Sequence, residues 1–141
     1  MDTPTASQIH QFYARQSHLI DSGRAREWAD TFTPDGEFHS PTYAEPVVGS
    51  AALADFAAGF HRRAAEQGEV HRHVVTNVWV RSDEEASFDG VVVEAYLQVL
   101  ATAVGGSTRV LRMTTLTDHL VVSEGRWSVA RREVRRDDSP A

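Results

Sequence analysis

Two imidazoles one residue apart, His71 and His73, fall within a run of alternating character from Val70 to Arg81. Successive strand side chains point to opposite faces, so both rings share a face unless a bulge intervenes. Val75, Asn77 and Trp79 belong to that same set. Imidazoles and an amide between aliphatic and aromatic walls are what a small-molecule pocket needs. The competing reading is a solvated outer face with one Trp at an interface. The opposite set, Val70, Arg72, Val74, Thr76, Val78 and Val80, reads as sheet packing. An imidazole titrates near neutrality and can act as general acid or base. His-x-His also begins some metal sites, but no carboxylate follows closely and His119 is the one further candidate ligand. No metal is therefore expected.

Asp21 is the second chemical candidate. It closes the first helical pattern, where the macrodipole disfavours an anion. It serves either as an Asx-turn residue in Asp21-Ser22-Gly23 or as a carboxylate that orients a neighbour. Further polar candidates for the pocket are Tyr13, on the buried helix face, and His39, beside Phe38 on a short strand. Tyr43 lies in a proline-bounded loop that can cover an opening, and Arg112 in a long strand can bind a substrate oxyanion. Glu94, Tyr96 and Gln98 share a strand face that is either solvated or, through Tyr96, part of the lining. His10, His18 and His61 sit on helices among polar neighbours and are expected at the surface.

These residues need elements to position them. Ile9, Phe12, Tyr13, Gln16 and Ile20 mark one face of a helix over 5–21. A short helix is expected over Arg24–Phe32, a turn at Thr33–Gly36 and a short strand over Glu37–Ser40. Pro41–Gly49 reads as a loop. Ser50 is a candidate N-cap for a third helix with the stripe Leu53, Phe56, Ala57 and Phe60, ended by Gly68. The period then changes to two. Strands are expected over Val70–Arg81, Ala86–Val104, Thr108–Val122 and Arg126–Val134, with turns at Ser82–Glu85, Gly105-Gly106 and Ser123–Gly125. Helices first and antiparallel strands second make an α+β domain.

The chain has 141 residues, 41% hydrophobic and 24% charged, enough for one core and too few for two. A net charge of −6 argues against nucleic acid, which needs clustered positive charge. All basic residues are arginine, a mark of GC-rich coding. The cluster Arg131, Arg132, Arg135 and Arg136 precedes Asp137 and Asp138 and reads as a solvated strand and tail. There is no cysteine, no membrane-length apolar run and no signal-peptide pattern, so a cytoplasmic protein without membrane association is expected. Phosphate-loop, dinucleotide and nucleophile-elbow motifs are absent.

The order of motifs carries a resemblance. Asp-Ser-Gly-Arg-Ala-Arg-Glu-Trp (21–28), Phe-Thr-Pro-Asp-Gly-Glu-Phe (32–38), His-Arg-His-Val-Val-Thr-Asn-Val (71–78) and Gly-Arg-Trp-Ser-Val-Ala-Arg-Arg (125–132) together resemble the SnoaL-like branch of the NTF2-like superfamily. The resemblance covers nearly the whole chain. It implies a cone in which a strongly curved antiparallel sheet wraps N-terminal helices around a deep pocket. One domain over 1–141 is expected, with 137–141 as a flexible tail. It further implies a cofactor-free cyclase, dehydratase or isomerase on a polyketide-like, carbonyl-bearing ring compound of bacterial secondary metabolism, such as antibiotic biosynthesis. Asp21 and His73 match the acid–base pair of dehydratase-like members. Gln16 and Ile20 stand where some members carry a tyrosine, and Leu100-Ala101 where scytalone dehydratase carries a second histidine. The alternative within the fold is a non-catalytic ligand-binding protein or an oxygenase β-subunit-like structural protein. A homodimer is expected through an apolar sheet face, either Val70/Val74/Val78/Val80 or Val91–Val93.

Overall fold

The computed structural model describes residues 3–81 and 90–139. Among these, three helices and six strands follow the order α1 (Thr3–Asp21), α2 (Ala25–Ala29), β1 (Phe32–His39), β2 (Val47–Val48), α3 (Ser50–Glu66), β3 (Glu69–Arg81), β4 (Gly90–Ala103), β5 (Thr108–Ser123) and β6 (Arg126–Arg136). The fold is the expected α+β arrangement, a curved sheet with the helices against one face. The strand order is β2-β1-β6-β5-β4-β3. One pairing departs from the all-antiparallel expectation, because β1 runs parallel to β6. The turn expected over Ser82–Glu85 lies outside the described residues.

The α1 stripe is buried as its spacing dictates. Ile9, Tyr13, Gln16, Leu19 and Ile20 all face the core with Leu53 and Ala57 of α3 and Val93, Leu97, Leu116 and Leu120 of the sheet. Each fully buried Ile or Leu contributes about 1.5–3 kcal/mol relative to exposure. Phe32 begins β1 and does not end α2. The expected turn over Thr33–Gly36 is instead an irregularity within β1, between Phe32 and Glu37. Gly36 is required there: a Cβ would lie 2.8 Å from the Phe32 Cβ and 3.1 Å from the Val129 carbonyl oxygen. Val47 and Val48, expected as loop, pair with Phe38 and Glu37 as an edge strand. Gly49, at φ 91°, is the N-cap of α3, and Ser50 is its first residue.

One extra residue in each of three strands bends the sheet. In β3, Thr76 pairs with Tyr96 and Trp79 with Glu94, so three steps on one strand oppose two on the other. Asn77 takes the bulge at φ 55°, a left-handed conformation that Asn tolerates better than most residues. The same count places extra residues at Leu111 in β5 and Ala130 in β6. The bulge in β3 reverses the expected faces beyond it. Val78 and Val80 pack on the core, while Trp79 is 60% exposed on the outer face. No helix among the described residues is long and apolar enough to cross a membrane.

Candidate active site

Asp21 reaches the strand because the helix end does not need it. Gly23, at φ 78°, donates its N–H to Ile20 O, and Arg24 N–H goes to Leu19 O, the paired bonds of a Schellman C-cap. The Ser22 hydroxyl caps His18 O. The Asp21 carboxylate is thereby released from its own turn and accepts from β3. Oδ1 lies 2.7 Å from His73 Nδ1, and both oxygens lie 3.1 Å from the His73 backbone N–H. The pair is largely buried, with 8% of the Asp21 side chain and 13% of the His73 side chain exposed. A carboxylate only accepts, so His73 donates from Nδ1, and in the neutral ring Nε2 carries the lone pair.

His73 lines a narrow space of about 50 Å³. Its wall is aromatic: Phe60 lies 4.9 Å from the His73 ring, Phe38 4.9 Å from Phe56, and Tyr43 stands edge-on to Phe56 at 5.0 Å. Ile20, Leu97, Val99 and Val134 complete the apolar lining. Arg112 enters from the far side. His73 pairs with Val99 and Val99 with Arg112, so the imidazole and the guanidinium stand on alternate strands of the same face. Two strand spacings separate their Cα atoms by about 10 Å. Arg112 Nη1 donates to Tyr43 Oη at 3.2 Å, and its Cζ lies 6.0 Å from both the Tyr43 and Phe60 ring centres. Among the described residues no carboxylate pairs with Arg112.

The remaining sequence candidates lie elsewhere. Tyr13 is in the core, where its hydroxyl donates to Asp118 Oδ2 at 2.7 Å. Burial, reinforced by Asp118, pushes the Tyr13 phenol well above its usual range. His39 bonds Glu37 at 2.8 Å and faces an outer groove. Asn77 and Trp79 are turned outward by their bulge, and Tyr96, 46% exposed, shares that outer face. His10, His18 and His61 are exposed. His71 bonds Glu69 at 3.0 Å, and Phe60 packs against both its ring and that of His73. Among the described residues no three His, Asp or Glu side chains are placed to hold a metal ion.

A second polar centre escaped the sequence reading. Arg132, expected in a solvated cluster, is 5% exposed and clamps Asp118 by two bonds of 2.8 Å, from Nε to Oδ1 and from Nη2 to Oδ2. Nη2 also donates to Gln16 Oε1 at 2.6 Å, and Gln16 Nε2 donates to Thr31 Oγ1 at 2.8 Å. Burial opposes the charge on Arg132, but Asp118 outweighs it and raises the guanidinium further. The signal was present: Asp118 shares strand parity with Leu116 and Leu120, and a charge on a buried face demands a partner. Arg132 also lines the His73 cavity, so the clamp forms part of its floor.

The SnoaL-like domain family matches residues 2–133. The chain belongs to the SnoaL-like family. A Catenulispora acidiphila protein solved in complex with S-DNPA is 33% identical over 97% of this chain and 96% of its own, with a TM-score of 0.82. ActVI-ORFA from Streptomyces coelicolor superimposes with a TM-score of 0.88 at 20% identity over 99% of this chain and all of its own, a likeness of fold alone. So too does the β subunit of a putative aromatic-ring-hydroxylating dioxygenase from Novosphingobium aromaticivorans, at 20% identity, a TM-score of 0.73 and coverage of 99% and 94%. No curated protein matches the chain in sequence.

Proposed function

We propose that this SnoaL-like protein is a cofactor-free acid–base catalyst of the cyclase, dehydratase or isomerase type, acting on a carbonyl-bearing ring compound. The observation that carries this reading is the 2.7 Å Asp21–His73 contact at the wall of an aromatic cavity that also holds Arg112. His73 Nε2 takes a proton from the carbon next to the carbonyl. The electron pair moves into the carbonyl, and Arg112 stabilises the enolate oxygen that forms. Asp21 holds the tautomer and stabilises the imidazolium. The proton then returns to another carbon, giving isomerisation, or to a departing hydroxyl, giving dehydration. In cyclisation the enolate carbon attacks a second carbonyl, whose oxygen receives the proton. The aromatic wall suits a planar, polyketide-like ring.

The test is hydrogen–deuterium exchange next to the carbonyl of a panel of cyclic ketones in heavy water, read by mass spectrometry. Exchange is expected with the native protein and is lost in His73→Ala. Asp21→Asn is expected to slow it by roughly a hundredfold with little change in melting temperature. The double variant is expected to be little worse than the worse single one, because the two act as a unit. Near-native exchange in Asp21→Asn would sink the dyad.

The non-catalytic reading has one observation in its favour: about 50 Å³ is small for a substrate site. It requires ketones that shift the His73 ring resonances yet exchange no faster than with His73→Ala. We also propose that two copies pair through the outer sheet face, where Trp79, Tyr96 and Met113 lie exposed on three successive strands. Val78, Val80 and Val93 face the core and are not part of that surface.

A further inference from the structure

Beyond Tyr43 the surface opens into a groove of about 440 Å³ between the Ser40–Pro46 segment and the end of β6. Ser40, Tyr43 and Val134 line both this groove and the inner cavity. We infer that the groove is the second compartment of the substrate site, and that Tyr43 is the residue that admits the substrate and selects its length. The inference rests on the proposed catalytic reading of the inner cavity.

Size gives the first argument. A cavity of about 150 Å³ accommodates benzene and ligand sites run to about 300–1,000 Å³, so the inner space cannot seat a ring as it stands. Joined to the groove, it falls within that range. Of the three shared residues, Tyr43 lies farthest from strand pairing. Val134 is buried in β6, and Ser40 directly follows the β1–β6 pairing of His39 with Glu133. Tyr43 instead sits in a segment without strand pairing, held by a backbone bond to Ser40 O at 3.2 Å, by the Arg112 contact and by its packing on Phe56 and Phe38.

Chemistry gives the second argument. The Tyr43 hydroxyl takes one of the Arg112 N–H donors at the cavity, so its departure opens the cavity and leaves that donor to an enolate oxygen. The groove offers donors from Arg135 and Ser139 and acceptors from Glu45 and Glu133. Groups of both kinds and both signs suit neutral hydroxyls, which donate and accept. The substrate class is therefore an elongated molecule, with a planar oxygen-bearing ring inside and a hydroxylated substituent outside.

Two probes test this: 2-naphthol, and the hydroxyethyl amide of 6-hydroxy-2-naphthoic acid, which adds a hydroxylated tail. Affinity is read by calorimetry, association by stopped flow, and cavity occupancy by the His73 ring resonances. Tyr43→Ala is expected to speed association of 2-naphthol by about tenfold, the gain when an open form populated near one part in ten becomes dominant. Tyr43→Phe, which keeps the ring but loses the Arg112 bond, is expected to move the same way by less. The tailed probe is expected to bind about tenfold tighter than 2-naphthol, and Arg135→Ala to erase that gain without affecting 2-naphthol. If both probes shift His73 but Tyr43→Ala changes no rate and the tail adds no affinity, the two-compartment site is overturned while the inner cavity stands. If neither probe shifts His73 in any variant, the cavity reading itself fails and this inference falls with it.

Discussion

Replacing Asp118 by Asn removes one charge from a site with no exposure. The change preserves shape, so the loss is electrostatic. Arg132 keeps its buried guanidinium and loses its counter-charge. Of the Asp118 contacts, two come from Arg132 and one from the Tyr13 hydroxyl. An Asn amide nitrogen placed at Oδ2 would oppose two donors at once. Stranding one member of a buried ion pair costs about 3–5 kcal/mol. A chain of this size shifts by about 3 °C per kcal/mol, so the melting temperature should fall by about 10–15 °C. Urea denaturation is the better assay, because a lower midpoint with an unchanged slope isolates stability from compactness. Tyr13→Phe removes one charge-assisted bond and should cost less, about 1.5–3 kcal/mol. The double variant Asp118→Leu with Arg132→Met should recover much of the single-variant loss, because no charge is left unpaired. A cost below about 1 kcal/mol for Asp118→Asn would refute the claim that the buried pair is obligatory.

Three further outcomes are expected. Glu69, bonded by Arg109 and then by His71, is held down to about 2 from its ordinary 4.5, so its stabilisation is complete above pH 4.5 and is lost as pH falls towards 2; pH-dependent urea melts should show this increment vanish in Glu69→Gln. Asn77→Gly should change stability by less than about 0.5 kcal/mol, whereas Asn77→Val should cost about 1–2 kcal/mol or more in the same assay, because φ 55° is strained for a β-branched residue. Sedimentation equilibrium at micromolar concentration should find a dimer that Trp79→Glu converts to monomer, and a monomeric native protein would rule out pairing through the outer face.

Periodicity made most elements legible because each has one dominant buried face. The α1 stripe and the alternation of β5 are read directly from residue type. Reading failed where one residue broke the period. Asn77-Val78 carries no apolar gap or glycine to announce a bulge, so Trp79 was grouped with His73 although it ends on the opposite face. An optical probe of the cavity must accordingly use Trp28, whose ring lies 5.9 Å from Phe56, and not Trp79. The Asp118–Arg132 clamp was missed for another reason. Its charges lie 14 positions apart on neighbouring strands, and pairing register decides their contact.

The same irregularities assemble the site. A helix ended by an Asx turn would have spent Asp21 on its own backbone; the Schellman bonds at Gly23 make the carboxylate available 52 positions away. A straight β3 would force a choice between an inward His71–His73–Val75 face and an inward Val78–Val80 pair. The extra residue lets one strand supply the His73 imidazole to the cavity at one end and core packing at the other. In β5 the extra Leu111 sits beside Arg112, so the cation also stands next to a break in the ladder. Regular periodicity builds the walls of this cone. Asp21 and Arg112 each stand at a local departure from it, and the β3 departure lets His73 share its strand with the core.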